Sequence, residues 1–305
     1  MKIVSLLPSA TEIVFALGLG DRLDAVTDEC DFPPEATTRP VISRSALAQR
    51  RPLSSPEIDD AVRDRTGRKE PPFVLDKDLI RRIQPDVILA QDLCRLCGVP
   101  SGDIQGALQE IGAPDAKVLS LDPHSLAQAL ESIRSVGELL GAEQKAAELV
   151  ASLGARVEAV RAKALRLPSI RVFCLEWLDP PFAAGRWVPD MVEIVGGVNL
   201  LSVKEQPSRV VTWREIRDAI PEVVVFMPSG YYLEEAEEEA APLYENAEFS
   251  ETPAAREGSV FAVDASSYFS RPGPRIVDGL EILAWAVHPH AFPEPPAEAI
   301  MQIRR

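Results

Sequence analysis

Short apolar runs alternate along this chain with segments whose apolar residues recur at helical spacing. Such alternation predicts βαβ units. In the first half it predicts strands near 2–7, 23–27, 86–91 and 117–121, and helices near 10–17, 56–65, 76–83 and 102–111. In the second half it predicts strand, helix, strand and strand at about 170–175, 189–195, 222–227 and 259–263. A turn from Pro272 leads into a last helix reaching Ala286. Ser9 and Glu12 have capping-box spacing, and Gly18 to Gly20 supply the stop of the first helix. Residues 40–75 read as irregular, because Arg50-Arg51-Pro52 and Glu70-Pro71-Pro72 disfavour regular structure, with one helix start at Ser54-Ser55-Pro56-Glu57. From Ser125 to about Leu165 nearly every residue is a helix former. Leu139, Ala142, Ala146, Leu149, Leu153, Val157 and Val160 recur at helical spacing until Pro168 ends the stretch. The proline-rich tail beyond Pro289 is expected to pack loosely.

The pattern is written twice. Lys2–Leu7 returns as Arg171–Leu175, Asp78–Leu89 as Arg214–Val225, and Lys117–Asp122 as Ser259–Asp264, in the same order. The expected architecture is α/β, with two Rossmann-like lobes of parallel sheet joined by a long rigid helix and a ligand cleft between the lobes. The expected divisions are an N-terminal lobe over 1–124, a linking helix region over 125–168 and a C-terminal lobe over 169–305.

Composition narrows the function. A chain of 305 residues that is 46% hydrophobic can fill two cores. A net charge of -15 argues against a nucleic-acid partner, which needs a basic face. No apolar run is long enough to span a membrane. The first strand begins at Lys2 and leaves no room for a leader, so either the chain stays in the cytoplasm or a leader has been removed. A monomer is expected.

Ligands of open α/β sheets bind beyond the carboxyl ends of strands. The segments that follow the predicted strands hold Pro8 and Ser9, Glu29 and Cys30, and Gln91 and Asp92 in the first half. In the second half they hold Trp177, Phe182, Trp187, Ser229, Tyr268, Phe269 and Arg271. Only 6% of the chain is aromatic, yet Trp177, Phe182, Trp187, Tyr231, Tyr232, Tyr268 and Phe269 all fall in the expected loops of one lobe. Large flat side chains on loops make a wall for a large flat ligand.

Val4-Ser5-Leu6-Leu7-Pro8-Ser9-Ala10-Thr11-Glu12, Asp31-Phe32-Pro33-Pro34-Glu35, Gln84-Pro85-Asp86-Val87-Ile88, Pro180-Pro181-Phe182-Ala183-Ala184-Gly185 and Tyr268-Phe269-Ser270-Arg271-Pro272-Gly273-Pro274-Arg275 carry a resemblance. The chain resembles the class III periplasmic-binding-protein family, and within it the cobalamin-binding proteins of ABC importers. The resemblance implies a corrinoid held edge-on, an extracytoplasmic location and no catalysis. It places Glu29 and Gln91 where the family has aromatic contacts, matches Trp177 and Phe182 to aromatic or apolar contacts, and puts Tyr268 and Arg271 in a contact loop. Ser267 stands where that loop carries an acid. Asp78 matches one transporter-docking acid. Arg214 stands at the other position, with Glu215 beside it.

Rival readings come from the residues themselves. The same fold could hold haem or an iron–siderophore. Cys94-x-x-Cys97, with Cys30 in a neighbouring loop, could be a metal or redox pair of a thiol- or metal-dependent enzyme or a cytoplasmic corrinoid carrier. Against these, no bound metal, no nucleophile elbow and no Gly-rich phosphate cradle are expected.

Overall fold

The computed structural model describes residues 1–46, 57, 64, 73–91, 104, 106, 108, 109 and 115–304. The chain divides into two compact units, the first of residues 1–123 with 130–150 and the second of 124–129 with 151–305.

In the first unit a sheet is built from β1 (Ile3–Ser5), β2 (Leu23–Thr27), β3 (Val41–Ser45), β4 (Phe73–Leu75), β5 (Val87–Ala90) and β6 (Lys117–Ser120), in the order β4-β3-β2-β1-β5-β6. β1 and β5 are buried throughout, as strands covered on both faces must be. Val4, Ile42, Ile80, Ile88 and Leu108 form its core.

The second sheet holds β7 (Ile170–Leu178), β8 (Pro181–Ala183), β9 (Gly197–Asn199), β10 (Arg209–Val210), β11 (Val223–Phe226), β12 (Val260–Val263) and β13 (Ile300–Gln302). Its order is β10-β8-β7-β11-β12-β13, with β9 also on β7. Phe173, Leu175, Phe226, Phe249 and Ile216 pack its main cluster. The repeats in the sequence take the same places in the two sheets. β1, β5 and β6 are consecutive neighbours in one, and β7, β11 and β12 in the other.

Several expectations are corrected. Both sheets are mixed, not parallel: β4, β8, β10 and β13 each pair antiparallel with a neighbour. Residues 40–75 are not wholly irregular, since β3 and β4 lie at their two ends. A five-residue strand and a three-residue edge strand give too little periodicity to stand out. The helices expected near 56–65 and 102–111 fall mostly outside the described residues.

The first helix starts at Pro8, with Leu7 at its N-cap and no side-chain cap. Ser9 is therefore inside the helix, because proline at the first helical position has the backbone angle already set. The linking stretch is two helices, Leu126–Leu140 and Glu143–Ala164, not one long rod. Gly141 breaks them at φ +69°, a left-handed conformation that glycine adopts without penalty. Where they turn, a Cβ on Gly137 would sit 2.4 Å from the Ala146 methyl. The C-terminal tail is not loose. His288 O accepts from Ala291 N and Phe292 N, and β13 then pairs with β12.

Candidate functional site

The carboxyl ends of β7, β11 and β12 form one rim of the second unit. β7 runs to Leu178, so Trp177 is a strand residue, and it turns through a hairpin into β8, which carries Phe182. These two aromatics were expected on loops. Their register, Trp177 opposite Phe182, places them as a cross-strand pair. Trp177 meets Tyr231 edge-on at 5.7 Å between ring centres. Both are half-buried, while Tyr232 is 40% exposed and Ser229 is open to solvent.

Trp187 and Phe269 are in the interior instead, 6% and 3% exposed. Trp187 Nε1 donates to Phe269 O at 2.9 Å, so the two hold each other inside the unit. An indole N–H is buried only where it finds such an acceptor. Tyr268 ends the short helix Ala265–Tyr268, whose N-cap Asp264 accepts from Ser267 N at 2.8 Å. Its ring lines a cavity of about 520 Å³ together with Phe292.

Arg271 is 7% exposed. Its Nη2 donates to Tyr232 Oη and Ser266 Oγ, each at 3.2 Å. A buried guanidinium needs such partners.

Glu176, one residue before Trp177 on β7, is at the centre of a second cluster. It accepts a short hydrogen bond from Ser208 Oγ, and Gly185 N donates to Ser208 Oγ at 3.1 Å. Burial pushes its carboxyl above the usual range, against the opposing pull of Ser208, Gly185 and Arg186. Gly185 is forced: a Cβ there would lie 2.5 Å from the backbone of Gln206, Pro207 and Ser208. Arg186 and Glu205 both have positive φ, and each backbone N–H bonds into the other's loop. Ser208, thirty-odd residues away in sequence, carries no motif that would have marked it. Only an acid next to a strand aromatic hinted at Glu176.

In the first unit Pro8 is half-buried, Ser9 is buried and Glu29 is exposed. Cys30 is 3% exposed, with its Sγ 3.1 Å from Thr11 Oγ1 and 3.4 Å from Thr27 Oγ1. Thr11 Oγ1 also lies 2.9 Å from Ser5 Oγ. This small polar knot ties the first helix to β1 and to the end of β2. Gln91, just past β5, is 7% exposed. Asp92, Cys94 and Cys97 lie outside the described residues. Among those described, no group of three or more His, Cys, Asp or Glu side chains could hold a metal ion. The buried Cys174 thiol is pushed up to about 12 by its apolar surroundings.

Asp78 is exposed in the first turn of the helix Lys77–Ile83 and receives Arg81 Nη1 at 2.6 Å. Glu215 closes a capping box: Thr212 N donates to its Oε2 at 2.7 Å, and its own N–H donates to Thr212 Oγ1 at 3.2 Å. The Thr212 backbone N–H holds this carboxyl below its usual range.

A family model described as periplasmic binding protein matches residues 3–266. The chain belongs to this family. Its members are substrate-binding proteins, which hold a ligand and do no chemistry on it, so the reading as a thiol- or metal-dependent enzyme is set aside. An uncharacterized ABC transporter substrate-binding lipoprotein, YvrC of Bacillus subtilis, is 26% identical over 96% of this chain and 82% of its own. A vitamin B12-binding protein of Vibrio cholerae is 26% identical over 92% of this chain and 86% of its own. The periplasmic heme-binding protein RhuT from Roseiflexus is 26% identical in structure-based alignment. It superposes with a TM-score of 0.68 over 95% of this chain and 98% of its own. Among the described residues, no helix is long and apolar enough to cross a membrane.

Proposed function

We propose that this substrate-binding protein feeds an ABC importer outside the cytoplasm and that its cargo is a corrinoid of the cobalamin type. The observation that carries the reading is the strand-end rim of the second unit. There Trp177, edge-on to Tyr231, and Phe182 offer flat apolar surface beside the neutral hydroxyls of Ser229 and Tyr232. Such a surface suits a broad macrocycle with an amide periphery, which needs stacking area and uncharged hydrogen-bond partners. The relative named as a vitamin B12-binding protein supports the same choice. Titration with cobalamin and with cobinamide, followed by absorption and by thermal melting, tests it. Binding to both is expected, with affinity at least about tenfold weaker in Trp177→Ala, a loss usual for a central aromatic contact. Neither a melting shift nor a spectral change would reject the ligand.

One observation favours a second reading. Tyr232 is 40% exposed, and its phenol oxygen accepts from the Arg271 guanidinium at 3.2 Å. A tyrosine oxygen is one of the ligands proteins use for haem iron. Under this reading haemin binds and Tyr232→Phe abolishes its charge-transfer bands. Under the corrinoid reading the same variant leaves cobalamin binding within about threefold, the loss of one neutral hydrogen bond.

Asp78 and Glu215 are the proposed transporter contacts. Because Glu215 already caps a helix, Asp78 is the acid expected to matter more. Asp78→Lys should reduce capture by the permease and leave ligand affinity unchanged.

A further inference from the structure

Two loops of the strand-end rim differ in how they are supported. The loop after β12, from Asp264 to Arg271, is backed by the body of the second unit. Trp187 Nε1 holds its Phe269 O, and Ser270 N donates to Ala265 O at 2.7 Å. Gly279, on the helix Ile276–Val287, lies so close to it that a Cβ there would collide with Tyr268 O. The loop after β11 is the more open one, with Ser229, Gly230 and Tyr232 exposed. It is tied to the backed loop through both backbone and side chains. Gly230 N donates to Ser270 Oγ at 3.1 Å, and Ser266 N donates to Tyr231 O at 2.8 Å. Arg271 Nη2 donates to Tyr232 Oη and to Ser266 Oγ, each at 3.2 Å.

Arg271 is the side chain that links these ties. A guanidinium only donates, and its planar fork reaches several acceptors at once. Here one nitrogen spans the phenol of Tyr232 and the serine that carries Tyr231. Arg271 is 7% exposed and Tyr232 is 40% exposed, so the guanidinium is the buried end of the pair and the phenol the open one. Asp264, 9% exposed in the same loop, interacts with the Arg271 charge, as a buried cation requires. What the cargo surface needs from this arrangement is the place of the tyrosines. The Tyr231 ring meets Trp177 edge-on at 5.7 Å, and a ring free to swing away would leave Trp177 without that support.

We propose that Arg271 is a positioning residue: it stays behind the rim, out of contact with the cargo, and holds Tyr231 and Tyr232 so that Trp177 and Phe182 present one fixed face. The inference rests on reading that rim as the cargo surface, and its first test uses no cargo. Tryptophan emission and acrylamide quenching are measured on the ligand-free full chain and on Arg271→Gln, each with and without Trp177→Phe. Arg271→Gln should shift the emission to longer wavelength and increase quenching, and Trp177→Phe should remove that difference. A general loosening of the unit would also expose the buried Trp187, and the difference would survive Trp177→Phe. The second test is cobalamin titration. Arg271→Gln should weaken binding about tenfold, the factor that follows from losing a hydrogen bond to a charged group. In the Trp177→Ala background the same change should cost no more than about threefold, because the ring that the tyrosines support is gone. Unchanged emission and quenching in Arg271→Gln, a difference that survives Trp177→Phe, or an equal loss of cobalamin affinity in both backgrounds would each overturn the proposal. A parent chain that does not bind cobalamin rejects the cargo, and the emission result then decides the role of Arg271 by itself. If Arg271→Gln does not fold, Arg271→Lys, which keeps the charge and gives up the planar fork, carries the same measurements.

Discussion

At Glu176, burial and hydrogen bonding pull in opposite directions, and burial prevails. A carboxyl whose folded value lies above its ordinary 4.5 stabilises the fold fully only below that value. The contribution is lost as pH rises from there through the raised value, because the folded state must then hold a buried charge or give up the proton. Glu176→Gln keeps the shape and removes the titration. Its melting temperature relative to the parent should therefore rise between acid and neutral pH, while Glu176→Ala should be less stable than both throughout. A constant difference between Glu176→Gln and parent from pH 4 to 8 would contradict this. Cys174 gives a second prediction at this scale. With its thiol pushed up to about 12, the native protein should resist alkylation at Cys174 at pH 8 and become labelled only on unfolding, as peptide mass spectrometry would report. Sequence could not have found the Glu176 cluster, since Gly185, Arg186 and Ser208 meet it only through the β7–β8 hairpin and its packed loop.

At the scale of elements, the duplicated blocks were legible because each combines an apolar strand with a helix that precedes or follows it. The order of β1, β5 and β6 against β7, β11 and β12 follows from them. What escaped were the short antiparallel strands at the margins. β4, β8, β10 and β13 have two or three residues each, and their place is set by pairing with a neighbour, not by a local period. The same shortfall put Trp177 and Phe182 on loops. The aromatic residues of the rim were thus found from composition and position, while their burial was not: Trp187 and Phe269 serve the interior. Trp187→Phe, which removes the Nε1–Phe269 bond, should cost about 1–2 kcal/mol in denaturant unfolding by leaving a buried carbonyl unmade. A change below about 0.3 kcal/mol would mean the bond is not sustained in solution. Gly185→Ala should be worse, at about 2–4 kcal/mol, because its new methyl meets backbone and not a movable side chain. Cooperative folding at parental stability would contradict that close approach.

For the whole molecule, a charge of -15 keeps copies apart and disfavours anionic partners. A protein that binds its cargo only when folded gains stability by mass action, about 2.7 kcal/mol at a hundredfold excess over the dissociation constant. Membership of a substrate-binding family, two sheets of shared topology and an aromatic rim converge on capture without conversion. The central claim is that a corrinoid is what is captured. Native mass spectrometry of the protein, purified from a medium containing both cobalamin and haem, tests this most directly. The expected spectrum shows the chain carrying one corrinoid mass; a chain carrying haem, or one that emerges empty from such a medium, would contradict it.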